Sequence, residues 1–174
     1  MARLPYARLD DADKAPLVER ITAERGSVLH LYQMLLHSPP LAQGWLAYLT
    51  AVRHRLQLGG ALREMIIMRV ALLNGAPYEA DQHRPVALKE GVTPAQLDAL
   101  AQWETAGCFD DVERAVLRLT DAMTRDIHFE PGILAAVHRH LGERGTVEAA
   151  ATIAAYNMVS RFLEALQIHG DDPR

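Results

Sequence analysis

Residues 61–73 read ALREMIIMRVALL, a stretch in which Arg63, Glu64 and Arg69 are the charged side chains and apolar residues occupy nearly every face of a helix. A helix that is apolar all round must be enclosed by protein on most sides. It is therefore the expected central helix, and the rest of the chain has to wrap it. Asn74-Gly75 supplies a C-terminal stop, and Pro77 suits the first position of a following helix that runs toward Glu90 and ends at Gly91. So short a connection predicts a central antiparallel helix pair.

Helix punctuation recurs on both sides of this pair. Asp10, Asp11 and Asp13 precede a polar helix ending near Arg25-Gly26, and the apolar run 28–36 follows. Ser38-Pro39 reads as an N-cap with proline in the first turn of a helix through Trp45, Tyr48 and Val52, broken by Gly59-Gly60. Thr93 and Gln96 have the spacing of a capping box for a helix to about Glu104, with Gly107 beyond it. Asp110 or Asp111 can cap the next helix, whose Val112, Val116, Leu119 and Met123 give a buried stripe. Glu130-Pro131 opens a shorter helix ending near Leu141-Gly142, and Thr146 is placed to cap the last long one, to about Ile168. Alternating runs of Val, Ile, Thr and aromatic residues are absent, so the predicted class is all-α, about seven helices in one domain over 1–174. The first 25 residues are a candidate peripheral arm.

Composition narrows the functions open to such a fold. Eighteen Lys and Arg stand against 22 Asp and Glu, and no basic block is long enough to track a phosphate backbone, which argues against nucleic acid as a partner. The longest apolar stretch, 147–159, contains Glu148 and Thr152 and falls short of the roughly 17 to 25 residues that span a bilayer. The N-terminal residues lack the apolar core of a secretory signal. The expectation is a cytoplasmic protein without membrane contact. Cys108 is the single cysteine, so one chain can form neither an intrachain disulfide nor a two-cysteine redox centre.

The chemistry-bearing residues cluster in the central pair. Glu64 has Ile67, Met68 and Ala71 three, four and seven residues on, and a carboxylate in such surroundings needs a partner or its pKa rises. On the next helix Glu79 and His83 are four apart and project from one face, with Tyr78 and Gln82 a neighbouring pair. Pro85 removes a helical hydrogen bond to the Asp81 carbonyl and clashes with it, which predicts a kink close to His83.

The stretch 62–92, LREMIIMRVALLNGAPYEADQHRPVALKEGV, resembles the core motif of the alkylhydroperoxidase D and carboxymuconolactone decarboxylase superfamily. In the peroxidase branch that motif is a glutamate, two cysteines two residues apart, then a histidine. Glu64 and His83 match its ends at the motif's spacing, while Ala76 and Glu79 occupy the cysteine positions. Tyr78-Glu79 followed by His83 resembles instead the cysteine-free branch named for 4-carboxymuconolactone decarboxylase, as does the segment from Tyr156-Asn157-Met158 to Arg161-Phe162-Leu163. The resemblance covers the chain from about Ser38 onward. It implies an all-helical homo-oligomer, as trimer, hexamer or dimer, and leaves the substrate open.

Each residue has a structural reading as well. Glu64 as a buried helix-register glutamate would pair with an arginine such as Arg69 or Arg161. An isolated core histidine is usually satisfied by backbone groups, yet Glu79 one turn before His83 favours function. Tyr78 and Tyr32 read as core or interface aromatics that could also line a substrate site. Asn157, Ser160, Arg161 and Glu164 make a polar row on the last helix, expected to be solvated or subunit-facing, with Arg161 the candidate anchor for a substrate carboxylate. Two glutamates and a histidine are acceptable ligands for a divalent ion, an alternative the residues leave open, but no zinc motif, phosphate loop or nucleophile elbow occurs, so neither metal nor cofactor is the expectation. The combined reading is a cofactor-free lyase or isomerase for a small enolisable acid, with His83, Glu64 and Glu79 catalytic. A non-catalytic binding or scaffold oligomer and a peroxide reductase acting through Cys108 are the alternatives.

Overall fold

A computed structural model describes residues 1–172, which form eight α-helices and no strand. They are α1 (Ala15–Arg25), α2 (His30–Leu35), α3 (Pro39–His54), α4 (Gly60–Asn74), α5 (Pro77–Lys89), α6 (Pro94–Ala99), α7 (Asp111–Arg125) and α8 (Pro131–Leu166). Their backbone groups into two compact units, one of residues 1–55 with 162–172 and one of residues 56–161.

In the second unit α4 is the buried rod that its composition demands: every residue from Arg63 to Ala71 is buried. Gly75 ends it in the left-handed conformation, φ 62°, with its N–H turned back to the carbonyls of Ala71 and Leu72. Two residues later α5 starts at Pro77, and Arg63 meets Glu90 while Glu64 meets His83. The start of α4 thus lies beside the end of α5, the antiparallel pair expected. Met65 and Met68 of α4 pack in one core with Ala87, Val92, Leu97, Leu100, Trp103, Phe109 and Leu117. Arg69 is forked onto Asp121 of α7, Nε to Oδ1 at 2.6 Å and Nη2 to Oδ2 at 2.7 Å, and its Nη1 donates to the Leu100 carbonyl at 2.8 Å. A buried guanidinium is tolerable when its donors are satisfied in this way.

Both capping boxes form, Thr93 with Gln96 on α6 and Asp110 with Glu113 on α7. Glu148 of α8 accepts the backbone N–H groups of Gln57 and Leu58, both at 2.8 Å, and so fixes the chain just before α4.

Several details differ from expectation. Ser38 holds the N-cap position of α3 without a side-chain capping bond, and α3 ends at His54, before the glycines; Gly59 and Gly60 begin α4. The helix after Thr93 is α-helical only to Ala99 and continues as a 3-10 turn, Leu100–Gln102. On α7, Val112 and Met123 are half-buried, while Leu117, Thr120, Asp121 and Thr124 are buried, because the Arg69 partner at Asp121 turns that polar edge inward. The last two helices are one element interrupted at Gly142, φ 65°, after which the helix resumes at once and ends at Leu166. Thr146 lies inside it and donates to the Gly142 carbonyl at 2.6 Å instead of capping. By contrast α5 ends at Lys89, as expected, with Pro85 inside it.

In the first unit Ile21 of α1 and all six residues of α2 are buried. Arg25 donates to the Tyr32 hydroxyl at 3.2 Å and to Thr50 Oγ1 at 2.7 Å, and Thr50 donates to Glu24. The N-terminal segment is tied by Arg3 N–H to the Leu166 carbonyl and by the Tyr6 hydroxyl to Asp172. No helix among the described residues is long and apolar enough to cross a membrane.

Candidate active site

Glu64, on the second turn of α4, is fully buried. Its two carboxylate oxygens have separate partners: Oε2 lies 2.7 Å from His83 Nδ1 of α5, and Oε1 accepts from Arg63 Nε at 3.1 Å. The carboxylate can only accept, so Nδ1 carries the hydrogen of this bond and the ring is held in one orientation. Burial alone would push the Glu64 carboxyl upward, and it is the largest single influence. The hydrogen bond and charge of His83, together with Arg63, outweigh it and hold the group below the ordinary carboxylate value.

Glu79, one turn before His83 on α5, is buried and accepts from Ser160 Oγ of α8 at 2.9 Å. Ser160 Oγ also lies 3.0 Å from the Tyr156 carbonyl one turn back. The Tyr156 ring meets the His83 imidazole edge-on, with centroids 5.0 Å apart and planes at 90°. Three helices thus converge here: α4 supplies the orienting carboxylate, α5 the imidazole and a second carboxylate, α8 a hydroxyl and an aromatic wall.

The remaining candidates are placed as follows. Tyr78 is buried on α5 beside Glu79. Tyr32 belongs to the other unit, where burial pushes its phenol upward against the opposing charge of Arg25. Arg161 is exposed and gives Nη1 to Asn157 Oδ1 at 2.7 Å. The polar row of α8 is not uniformly solvated: Asn157 and Ser160 are buried, because Asn157 bonds Thr124 and Asn74 and Ser160 bonds Glu79. Neither arginine weighed as a partner for Glu64 serves it, since Arg69 is committed to Asp121 and Arg161 to Asn157; the adjacent Arg63 does. Cys108 is exposed in the turn before α7. Among the described residues no three His, Cys, Asp or Glu side chains are grouped to hold a metal ion.

Sequence reasoning passed over Arg63 as a contributor to the site and placed Ser160 on a surface. The signals were slight: an arginine adjacent to the buried glutamate, and a serine one turn after Tyr156.

Residues 39–122, which include Glu64, Glu79 and His83, match the model of the carboxymuconolactone decarboxylase family. Among solved structures, a peroxidase-related protein from Ralstonia eutropha, described as an alkylhydroperoxidase AhpD core, is similar at 19% identity, with a TM-score of 0.83 over 98% of this chain and 93% of that one. An uncharacterised peroxidase-related protein from Silicibacter is similar at 20% identity and TM-score 0.81, covering 95% and 88%. The debrominase Bmp8, solved with 2,3,4-tribromopyrrole, gives 20% identity and TM-score 0.78, covering 94% and 88%. No curated protein matches the sequence. The chain thus shares its helical fold with these proteins, and residues 39–122, which hold the hydrogen-bonded glutamate and histidine, are similar to the carboxymuconolactone decarboxylase family.

Proposed function

We propose that this protein is an acid/base lyase or isomerase for a small enolisable carboxylated lactone or β-keto acid, acting without a cofactor as a homo-oligomer. One observation carries the reading: a fully buried carboxylate is bonded to Nδ1 of an imidazole, an arrangement that orients the ring and stabilises its protonated form when it moves a proton. In decarboxylation the bond to the departing carboxylate breaks and CO2 leaves. The electron pair enters the neighbouring carbonyl as an enolate, and a proton from the imidazolium reaches carbon. The Glu64 carboxylate stabilises that imidazolium and fixes the ring, and solvent returns the proton. Glu79, held by Ser160, serves as the second proton-bearing group, Tyr78 as a candidate substrate contact, and Arg161 offers its remaining N–H groups to a substrate carboxylate.

A peroxide reductase reading has less support, because Ala76 and Glu79 stand where that branch has its cysteines. The non-catalytic reading differs in its prediction for variants. The test is CO2 release and product formation from a panel of β-keto and carboxylated-lactone acids. His83→Ala and Glu64→Gln are expected to lose turnover by about 10²- to 10⁴-fold, with a chelator having no effect. Activity abolished by chelator and restored by a single ion would overturn the metal-free chemistry. Ligand binding without turnover, unchanged in both variants, would establish a binding protein instead.

A further inference from the structure

The Glu64–His83 pair does not end at Glu64. Arg63 donates from Nε to Glu64 Oε1 at 3.1 Å, and its Nη2 lies 3.4 Å from Glu90 Oε1 at the end of α5. Four groups of alternating charge therefore run in line, from the exposed Glu90 through the nearly buried Arg63 and the fully buried Glu64 to the imidazole.

A second, independent observation concerns Gly60, the first residue of α4. A Cβ at this position would fall on the Glu90 carboxylate, 2.6 Å from its Cδ. In this conformation the carboxylate fills the space beside the glycine, at a helix N-terminus where the backbone dipoles favour an anion. A methyl group here would push the flexible Glu90 carboxylate out of this position and away from Arg63.

We propose that Arg63 and Glu90 are positioning residues that set the proton affinity of His83 through Glu64, Arg63 lowering it and Glu90 restoring part of it. A bare buried carboxylate beside an imidazole raises the imidazole's proton affinity strongly and would leave it protonated, a poor base. Arg63 takes up part of the Glu64 charge and so lowers the affinity toward the range where an imidazole both accepts and gives a proton near neutrality. Glu90 partly neutralises Arg63 and moves the affinity back. Glu79 lies one turn earlier on the same helix, and the Tyr156 ring of α8 packs against the imidazole. The low-lying Glu64 carboxyl accords with two cationic partners.

The inference rests on reading His83 as the proton-moving group, but its test reads the titration of the ring and not turnover, so either can fail alone. The His83 imidazole is followed by NMR in the full-length protein across pH 4–9, using His83→Gln to assign the signal. Arg63→Gln is expected to raise the imidazole pKa by about one unit, from a unit charge two hydrogen bonds away at an effective dielectric of roughly 20 to 40. Glu90→Gln, at a solvent-exposed side chain, is expected to lower it by about 0.3 unit. Gly60→Ala displaces the Glu90 carboxylate without altering any charge and should shift the value in the same direction as Glu90→Gln. Opposite signs for Arg63→Gln and Glu90→Gln support the proposal, and Arg63→Lys should recover most of the Arg63→Gln shift. Shifts of the same sign, or no shift above 0.1 unit in Glu90→Gln and Gly60→Ala, overturn it.

Discussion

Replacing Asp121 with alanine tests what holds α4 in place. Arg69 and Asp121 are both buried, with side chains 6% and 9% exposed, and they share two short bonds. Asp121 Oδ2 also accepts from Trp103 Nε1 at 3.3 Å and faces Arg125 at 3.2 Å. Asp121→Ala leaves the Arg69 guanidinium buried with the Leu100 carbonyl as its remaining partner, and strips the indole of its acceptor. An uncompensated buried charge of this kind costs about 3–5 kcal/mol. For a chain of this length that corresponds to a fall in Tm of roughly 6–20 °C. Asp121→Asn keeps the shape but loses the charge and should fall between. Replacing both partners, Arg69→Met with Asp121→Leu, removes the buried charges together and should recover most of the loss, since apolar replacement of a buried pair is often neutral or stabilising. Urea unfolding followed by tryptophan fluorescence is the assay, with Trp103 reporting from inside the network. A single substitution costing under about 1 kcal/mol, or a double variant as unstable as the summed singles, would show that desolvation of Arg69 is not the governing quantity.

Acid should weaken the fold through Glu64 and Glu148. For Glu148 burial raises the carboxyl and is the largest effect, but Arg144 and the backbone N–H groups of Leu58 and Gln57 outweigh it, so both carboxyls lie below the ordinary 4.5 in the folded state. A depressed folded value gives stability that is complete above the unfolded value and lost as pH falls through the folded one. Urea midpoints measured from pH 6 to pH 3 should therefore be flat above about 4.5 and decline below it, with a shallower decline in Glu64→Gln; a decline unchanged in that variant would refute the assignment. Glu148→Ala should release the amides of Gln57 and Leu58, seen as faster hydrogen exchange at those two positions, with about 1–3 kcal/mol lost. Cys108→Ser should leave activity and fold unchanged, and loss of peroxide turnover in it would revive the peroxidase reading.

Much of this architecture was legible because local signals and burial agree. The unbroken apolar face of 61–73 could only be a core helix, and the Asn74-Gly75 and Pro77 punctuation left little freedom in how α5 returns along it. The pairing of Glu64 with His83 was open from spacing alone, since two helices can meet at several rotations. Contacts that join side chains distant in sequence were the ones missed. Arg69 to Asp121 spans 52 positions and Ser160 to Glu79 spans 81, and no periodicity announces either. Ser160 looked solvent-facing because its neighbours Arg161 and Glu164 are polar. A polar residue is comfortable inside a helix bundle when one specific acceptor awaits it, and composition does not record that acceptor.

Gly142 shapes how the C-terminal third of the chain should be read. A regular helix of 36 residues would be a rod of about 54 Å; an alternate backbone state at one residue splits it into pieces of roughly 16 and 36 Å. Counting by threes and fours across that point assigns residues to the wrong stripe, because rotational phase is lost there and starts afresh. Any residue with a side chain at this position must bear the strain of a positive φ or let the two pieces realign. The piece from which Glu148 reaches Gln57 and Leu58 therefore takes its helical phase from a residue that has no side chain of its own.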